Sequence, residues 1–181
     1  MNRLGTSTLT VLTLLVPTLL PVPMSAQAPA DSANFEVGDQ VLISIRDRIE
    51  IQEKLLYAYA YTYDSKDCVS WSNLFATDAV LERGAAEKLI GRDAILQFCI
   101  ARQKSGVGNI KTRHNMMNIV FDQLTPRRAE TRTYLLLTWQ KPGDHIPTIQ
   151  GAVTYRDVIV KSDDGRWLFK ERKNDFAAPA P

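Results

Sequence analysis

The last third of the chain is what most limits the fold. Residues 110–123, 128–140, 147–161 and 166–173 are four β-rich runs, heavy in Val, Ile, Thr, Tyr and Leu. Only turn chemistry separates them: Thr125-Pro126, then Lys141-Pro142-Gly143-Asp144, then Ser162-Asp163-Asp164-Gly165. Each run is longer than the usual strand of about five or six residues. Joined this closely, they read as strongly twisted, bent antiparallel partners in a meander.

Ahead of the meander the period changes to that of a helix. Ile49, Gln52, Leu56, Tyr59 or Ala60, and Tyr63 recur at three- and four-residue spacing, with Arg46, Asp47, Glu50, Glu53 and Lys54 between them. This predicts a helix over about residues 44–64. Asp67 then stands as the cap of a short second helix reaching Phe75, with Val69, Leu74 and Phe75 facing inward. Ala79–Glu82 reads as a short strand. Gly91-Arg92-Asp93 opens a third helix, Ala94–Lys104, with Ile95, Phe98, Cys99 and Ala101 as its apolar face. Helices first and a curved meander afterwards make an α+β fold, in which three helices cover the concave face of the sheet. Such an arrangement leaves an apolar cavity open at one end.

The first thirty residues belong to processing rather than to the fold. A basic start (Met1-Asn2-Arg3), an apolar stretch from Leu9 to Met24 broken by Pro17, Pro21 and Pro23, and the small-x-small site Ala26-Gln27-Ala28 are the parts of a secretory signal peptide. The apolar run is too short and too broken to serve as a membrane anchor. Cleavage is expected after Ala28 or Ala30, leaving a mobile segment at 29–41, one domain at 42–176 and a flexible tail at 177–181. The protein is thus expected to be secreted or periplasmic. Its formal charge of +2 offers no electrostatic footprint for nucleic acid. Export raises the question of Cys68 and Cys99, which either pair or remain as two buried thiols; the thiols are the favoured reading.

Chemistry concentrates at the end of the first helix. Tyr57, Tyr61 and Asp64 share one stripe, with Tyr59 and Tyr63 on the next. A carboxylate at a helix C-terminus opposes the helix dipole and needs a partner. Of the two histidines, His145 sits in a Pro-Gly-Asp-His turn and is expected to be exposed and inert. His114 lies in a strand, where alternation puts His114, Met116, Asn118 and Val120 on one face. The other face, with Met117, Ile119, Phe121, Tyr134 and Leu136 as candidates, is either the outer surface, open to a homo-oligomer contact, or the core. No three-ligand cluster for a metal stands out.

Several of these segments together resemble the SnoaL-like branch of the nuclear transport factor 2 superfamily. They are Tyr59-x4-Asp64 with the run Tyr63-Asp64-Ser65-Lys66-Asp67, Leu74-Phe75-Ala76-Thr77-Asp78-Ala79, Gly91-Arg92-Asp93-Ala94-Ile95, Arg113-His114-x3-Asn118, and Tyr155-x-Asp157 followed by Asp164-Gly165-x-Trp167. The resemblance covers residues 42–175 and implies a cone-shaped α+β barrel. The run around Asp64 is also similar to the scytalone dehydratases and bile acid 7α-dehydratases. By that resemblance Asp64 and His114 would form a catalytic dyad and Tyr59 would stand near a substrate oxygen. Tyr63, Asn118, Met116, Trp139 and Arg156 are candidates to line the substrate site. Arg172 is an alternative to Arg156, each having a surface ion pair as its competing use. One departure is that Trp139 stands where scytalone dehydratases carry a second pocket histidine.

The activity so implied is a cofactor-independent lyase of dehydratase type, or an isomerase, acting on a small hydrophobic cyclic, polyketide, terpenoid or steroid-like molecule. A cyclase, or a binding or assembly module on the same scaffold, is the alternative. In the dyad, Asp64 would fix the imidazole in one tautomer and stabilise its protonated form.

Overall fold

The computed structural model describes residues 43–84 and 87–176. The expected leader, the 29–41 segment and the 177–181 tail lie outside the described residues. Strands β1 (Phe75–Arg83), β2 (Lys88–Ile90), β3 (Lys111–Leu124), β4 (Arg128–Gln140), β5 (Thr148–Lys161) and β6 (Trp167–Phe176) form one sheet in the order β2-β1-β6-β5-β4-β3. Neighbours pair antiparallel except β1 with β6, which run parallel. The expected meander is therefore β3 to β6. The sheet curves without closing, since β2 and β3 remain edges. Register shifts between Met117 and Val120, Leu137 and Thr138, and Val158 and Ile159 mark β-bulges, which bend and twist the long strands.

The first helix, α1, covers residues 43–64. Its buried stripe is Asp47, Ile51, Leu55 and Tyr59, continued by the partly buried Tyr63 that packs on the core. Ile49, assigned to the core from sequence, is instead half exposed. A stripe that advances four residues at a time drifts about 40° per step on an α-helix of 3.6 residues per turn. The segment Gln52–Tyr57 is wound more widely, as π-helix, and takes up that drift. Gln52 Nε2 donates to Tyr57 Oη at 2.6 Å across this turn, five residues apart. Buried Asp47 ties the start of the helix to the sheet, accepting from Lys161 Nζ at 2.9 Å and Trp167 Nε1 at 3.3 Å.

Helix α2 (Cys68–Ser72) is capped as expected, Asp67 accepting from the Ser70 N–H at 3.0 Å. It presents Trp71 inward rather than Val69, which is exposed. Helix α3 (Arg92–Lys104) buries Ile95 and Cys99, while Ala101 faces solvent. The two helices are joined by a disulfide between Cys68 and Cys99, whose Cα atoms lie 5.5 Å apart. The favoured reading of two free thiols is thus corrected: α2 and α3 pack side by side and bring the two cysteines within bonding geometry. Ile119 and Phe121 also turn out to pack on the core, leaving Met117 and Tyr134 exposed on the convex face.

The core between helices and sheet contains an ion pair. Arg172, fully buried, donates from Nε and Nη2 to Asp157 at 2.7 and 2.8 Å. Its guanidinium carbon lies 4.0 Å from the ring centres of Tyr59 and Phe169 and 4.3 Å from that of Tyr155. A flat cation between aromatic faces gains cation–π attraction at three sides.

Candidate active site

Asp64 is placed by the way α1 ends. Lys66 adopts the left-handed conformation (φ 66°), Lys66 N–H returns to Tyr63 O at 3.0 Å, and Asp67 N–H returns to Thr62 O at 2.9 Å. This is a Schellman stop, which satisfies the last carbonyls of the helix and fixes its final residue. The side chain of Asp64 then reaches β3. It accepts from Thr112 Oγ1 at 2.6 Å and from the His114 main-chain N–H at 2.8 Å, and its Oδ1 lies 2.7 Å from His114 Nδ1. The side chains of Asp64 and His114 are 11% and 8% exposed. Burial works against the charge of Asp64, but the hydrogen bonds and charge of His114, with Thr112 and the main-chain N–H, outweigh it. They hold the carboxyl below its ordinary value. Asp64 is therefore an ionised acceptor. Its contact with Nδ1 assigns the proton of a neutral imidazole to that nitrogen and leaves Nε2 as the basic one.

Two tyrosines from α1 flank the imidazole edge-on, Tyr63 at 5.1 Å and Tyr59 at 6.2 Å between ring centres. With His114 they line a partly open cavity of about 230 Å³, which β4 and β5 complete with Leu135, Trp139 and Tyr155. Burial raises the pKa of the Tyr63 phenol, and the neighbouring Tyr59 adds to the shift. Tyr155 is pushed well above its ordinary value by complete burial. Tyr63 and Tyr155 are thus neutral hydrogen-bond donors across the ordinary pH range. A larger hollow of about 620 Å³ lies outside, between α1 and edge strand β3, bordered by Tyr57, Tyr61 and Asp64. Tyr61 is largely exposed there, and the strand contributes its outward-facing Arg113 and Asn115. His114 borders both spaces, and its ring packs edge-on against Tyr59 and Tyr63 on the side of the smaller cavity.

Of the residues expected at the site, His114, Tyr59, Tyr63 and Trp139 line this smaller cavity, while Asp64, bonded to His114, borders the outer hollow. Met116 shares the inward orientation of His114 but borders the outer hollow and packs on the core. Asn118 does not reach the site. It is the bulge residue of β3, exposed, with a left-handed φ of 50° that Asn tolerates better than most residues. Arg156 is also misplaced: Tyr155 and Asp157 point inward, so Arg156 points outward and pairs with Asp175 at 3.2 Å. Arg172, its alternative, faces the interior but is spent on Asp157. His145 is exposed, as expected. Sequence reasoning passed over Arg83, Arg102 and Asn174, which also line the cavity. Arg102 stands four residues after Phe98 on α3, a helical spacing that was available as a signal; Asn174 had none. Among the described residues no three of His, Cys, Asp and Glu gather as a metal cage.

The SnoaL-like domain family matches residues 44–173 of the chain. No curated protein matches it. Solved structures share the fold. A putative scytalone dehydratase from Novosphingobium aromaticivorans is 24% identical, with 76% of this chain and 89% of that one covered at a TM-score of 0.65. ActVI-ORFA from Streptomyces coelicolor is 16% identical, with 72% and 97% covered at 0.64. A protein from Catenulispora acidiphila, in complex with S-DNPA, is 20% identical, with 73% and 94% covered at 0.64.

Proposed function

The chain belongs to the SnoaL-like domain family, and we propose that it is a cofactor-independent lyase of dehydratase type working through Asp64 and His114. The observation that carries the reading is the 2.7 Å contact between Asp64 and His114 Nδ1, beside a cavity walled by phenols. His114 Nε2 removes a proton α to a carbonyl or activated ring carbon. The imidazolium so formed is stabilised by the ionised Asp64 and returns the proton to the departing β-hydroxyl, which leaves as water. Tyr59, with Tyr63, donates to the oxygen on which negative charge builds up. Isomerisation uses the same first step, with the proton returned to carbon instead.

The putative dehydratase among the similar structures supports the reaction class, and the one holding S-DNPA supports a small-molecule ligand. A cavity of about 150 Å³ accommodates benzene, so about 230 Å³ suits one or two fused rings rather than a complete steroid. We place the protein outside the cytoplasm, because the Cys68–Cys99 bond persists in an oxidising compartment.

The test is a panel of one- and two-ring β-hydroxy ketones and esters, incubated in deuterium oxide with the mature protein. Elimination appears as absorbance of the conjugated product, and proton abstraction as deuterium in recovered substrate. His114→Ala and Asp64→Asn are expected to lose about 10²–10⁴-fold, the range of general acid–base catalysis. A bound compound that neither exchanges nor eliminates, across the panel, removes the lyase reading and leaves a binding protein.

A further inference from the structure

The charge lining the cavity has no use in the mechanism above. Two guanidiniums, Arg83 and Arg102, line it, and no aspartate or glutamate does. They come from separate elements, Arg83 from the end of β1 and Arg102 from α3. Arg83 lies 4.3 Å over the Phe98 ring and pairs with Glu87 at 2.6 Å. Arg102 has no carboxylate within salt-bridge distance among the described residues. It approaches the Tyr63 phenol closely enough to work against the effect of burial on that group. A partly buried cation without a counter-charge favours an incoming anion, and a planar guanidinium suits a carboxylate with two parallel hydrogen bonds. In the wall of the same cavity, Asn174 is 7% exposed and its Oδ1 has no hydrogen-bond partner. A buried acceptor left open in a cavity wall is matched by a donor on whatever enters.

We propose that the cavity takes a one- or two-ring carboxylic acid, its carboxylate held by Arg102 with Arg83 and a ring hydroxyl donating to Asn174. This rests on the cavity being the substrate site and adds the substrate's class. The carboxylate stays on Arg102, one aromatic ring away from the imidazole, so the acid is a handle and the ring is what reacts. Arg102 and Asn174 are binding residues in this account and not part of the proton transfer.

The test uses 6-hydroxy-2-naphthoate and its neutral amide, with binding followed by calorimetry and by quenching of Trp71 and Trp139 in the cavity wall. A hydrogen bond to a charged group contributes about 1.5–3 kcal/mol, so the acid is expected to bind about tenfold or more tighter than the amide. Arg102→Gln is expected to abolish most of that preference while leaving the amide's affinity unchanged. Asn174→Leu is expected to weaken 6-hydroxy-2-naphthoate but not 2-naphthoate, which lacks the hydroxyl. Equal binding of acid and amide, a preference that survives Arg102→Gln together with Arg83→Gln, or no binding of either probe overturns the inference. The dyad reading fails separately: if the acid binds with its preference over the amide while no compound of the panel turns over or exchanges deuterium, that reading falls and the binding inference stands.

Discussion

Replacing Asp64 by Asn tests the dyad more directly than any activity measurement. The carboxylate takes three contacts through its two oxygens: Thr112 Oγ1 at 2.6 Å and His114 Nδ1 at 2.7 Å on Oδ1, and the His114 main-chain N–H at 2.8 Å on Oδ2. An amide keeps only one of those oxygens. If that oxygen faces Nδ1, the amide NH₂ confronts the main-chain N–H, donor against donor. If the NH₂ faces Nδ1, the ring proton moves to Nε2 and the cavity side loses its base. In either arrangement at least one hydrogen bond to a charged acceptor disappears from a nearly buried site, a loss of about 1.5–3 kcal/mol. Urea unfolding at neutral pH should register that loss. Imidazole ¹⁵N spectra should give protonated Nδ1 and bare Nε2 for neutral His114 in the wild type, with exposed His145 as internal reference. The sign of the pH dependence follows from the lowered pKa of Asp64. The wild type's advantage over the variant is complete above the ordinary aspartate value of about 3.9 and is lost as pH falls through the lower folded value. A wild-type His114 with its proton on Nε2, or a variant as stable as wild type at pH 7, refutes the dyad as described.

Three further outcomes concern the frame around the site. Arg172→Met strands the buried Asp157 carboxylate and should cost about 3–5 kcal/mol by urea unfolding, while adding Asp157→Val should recover much of it, because a buried pair is a poor source of net stability. Replacing Cys68 and Cys99 together by Ala opens a loop spanning 31 positions, and chain entropy puts the loss at about 3.5 kcal/mol; thermal unfolding of the wild type with and without reductant should show the same difference. At the β3 bulge, Asn118→Val forces a β-branched residue into a left-handed φ and should cost about 1–2 kcal/mol, whereas Asn118→Gly should be neutral in stability and in turnover.

The pair Asp64–His114 was legible because the need of Asp64 for a partner is local and the resemblance supplied that partner. A carboxylate at the close of an amphipathic helix needs a partner, and the family resemblance points to His114. The stop itself was less visible, since Lys66 supplies the left-handed position usually given to glycine. Alternation along β5 separates Arg156 from Tyr155 and Asp157, but alternation alone does not say which set faces the cavity. Buried apolar and polar residues are mixed on that inner face, with Thr131, Thr133, Asp157, Arg172 and Asn174 all inside. The reading of hydrophobic periodicity failed again at Ile49 because the core stripe advances by four, a pattern that only the π-wound segment makes consistent. The disulfide depended on α2 and α3 lying side by side, which neither helix's own sequence records.

The errors on the sheet have one cause, which is where the extra residues sit. Between Met117 and Val120 strand β3 advances three residues while β4 advances two, from Tyr134 to Arg132; between Phe121 and Gln123 it gains another. Between Val158 and Ile159 the extra residue belongs to β6, at Lys170, and at Leu137 and Thr138 it belongs to β5, at Gln150. Each insertion flips the faces beyond it. That is why Ile119 and Phe121, on the face opposite His114 by strict alternation, end up packed on the core. Strand β4 carries none of these insertions, and its inward set, Ala129, Thr131, Thr133, Leu135, Leu137 and Trp139, reads without a break from end to end. Trp139 thus lines the cavity from the far end of a 13-residue strand, while Asn118, only four residues from His114, does not. In a sheet bent by bulges, nearness along the chain is a weaker guide to a shared face than continuity of the ladder.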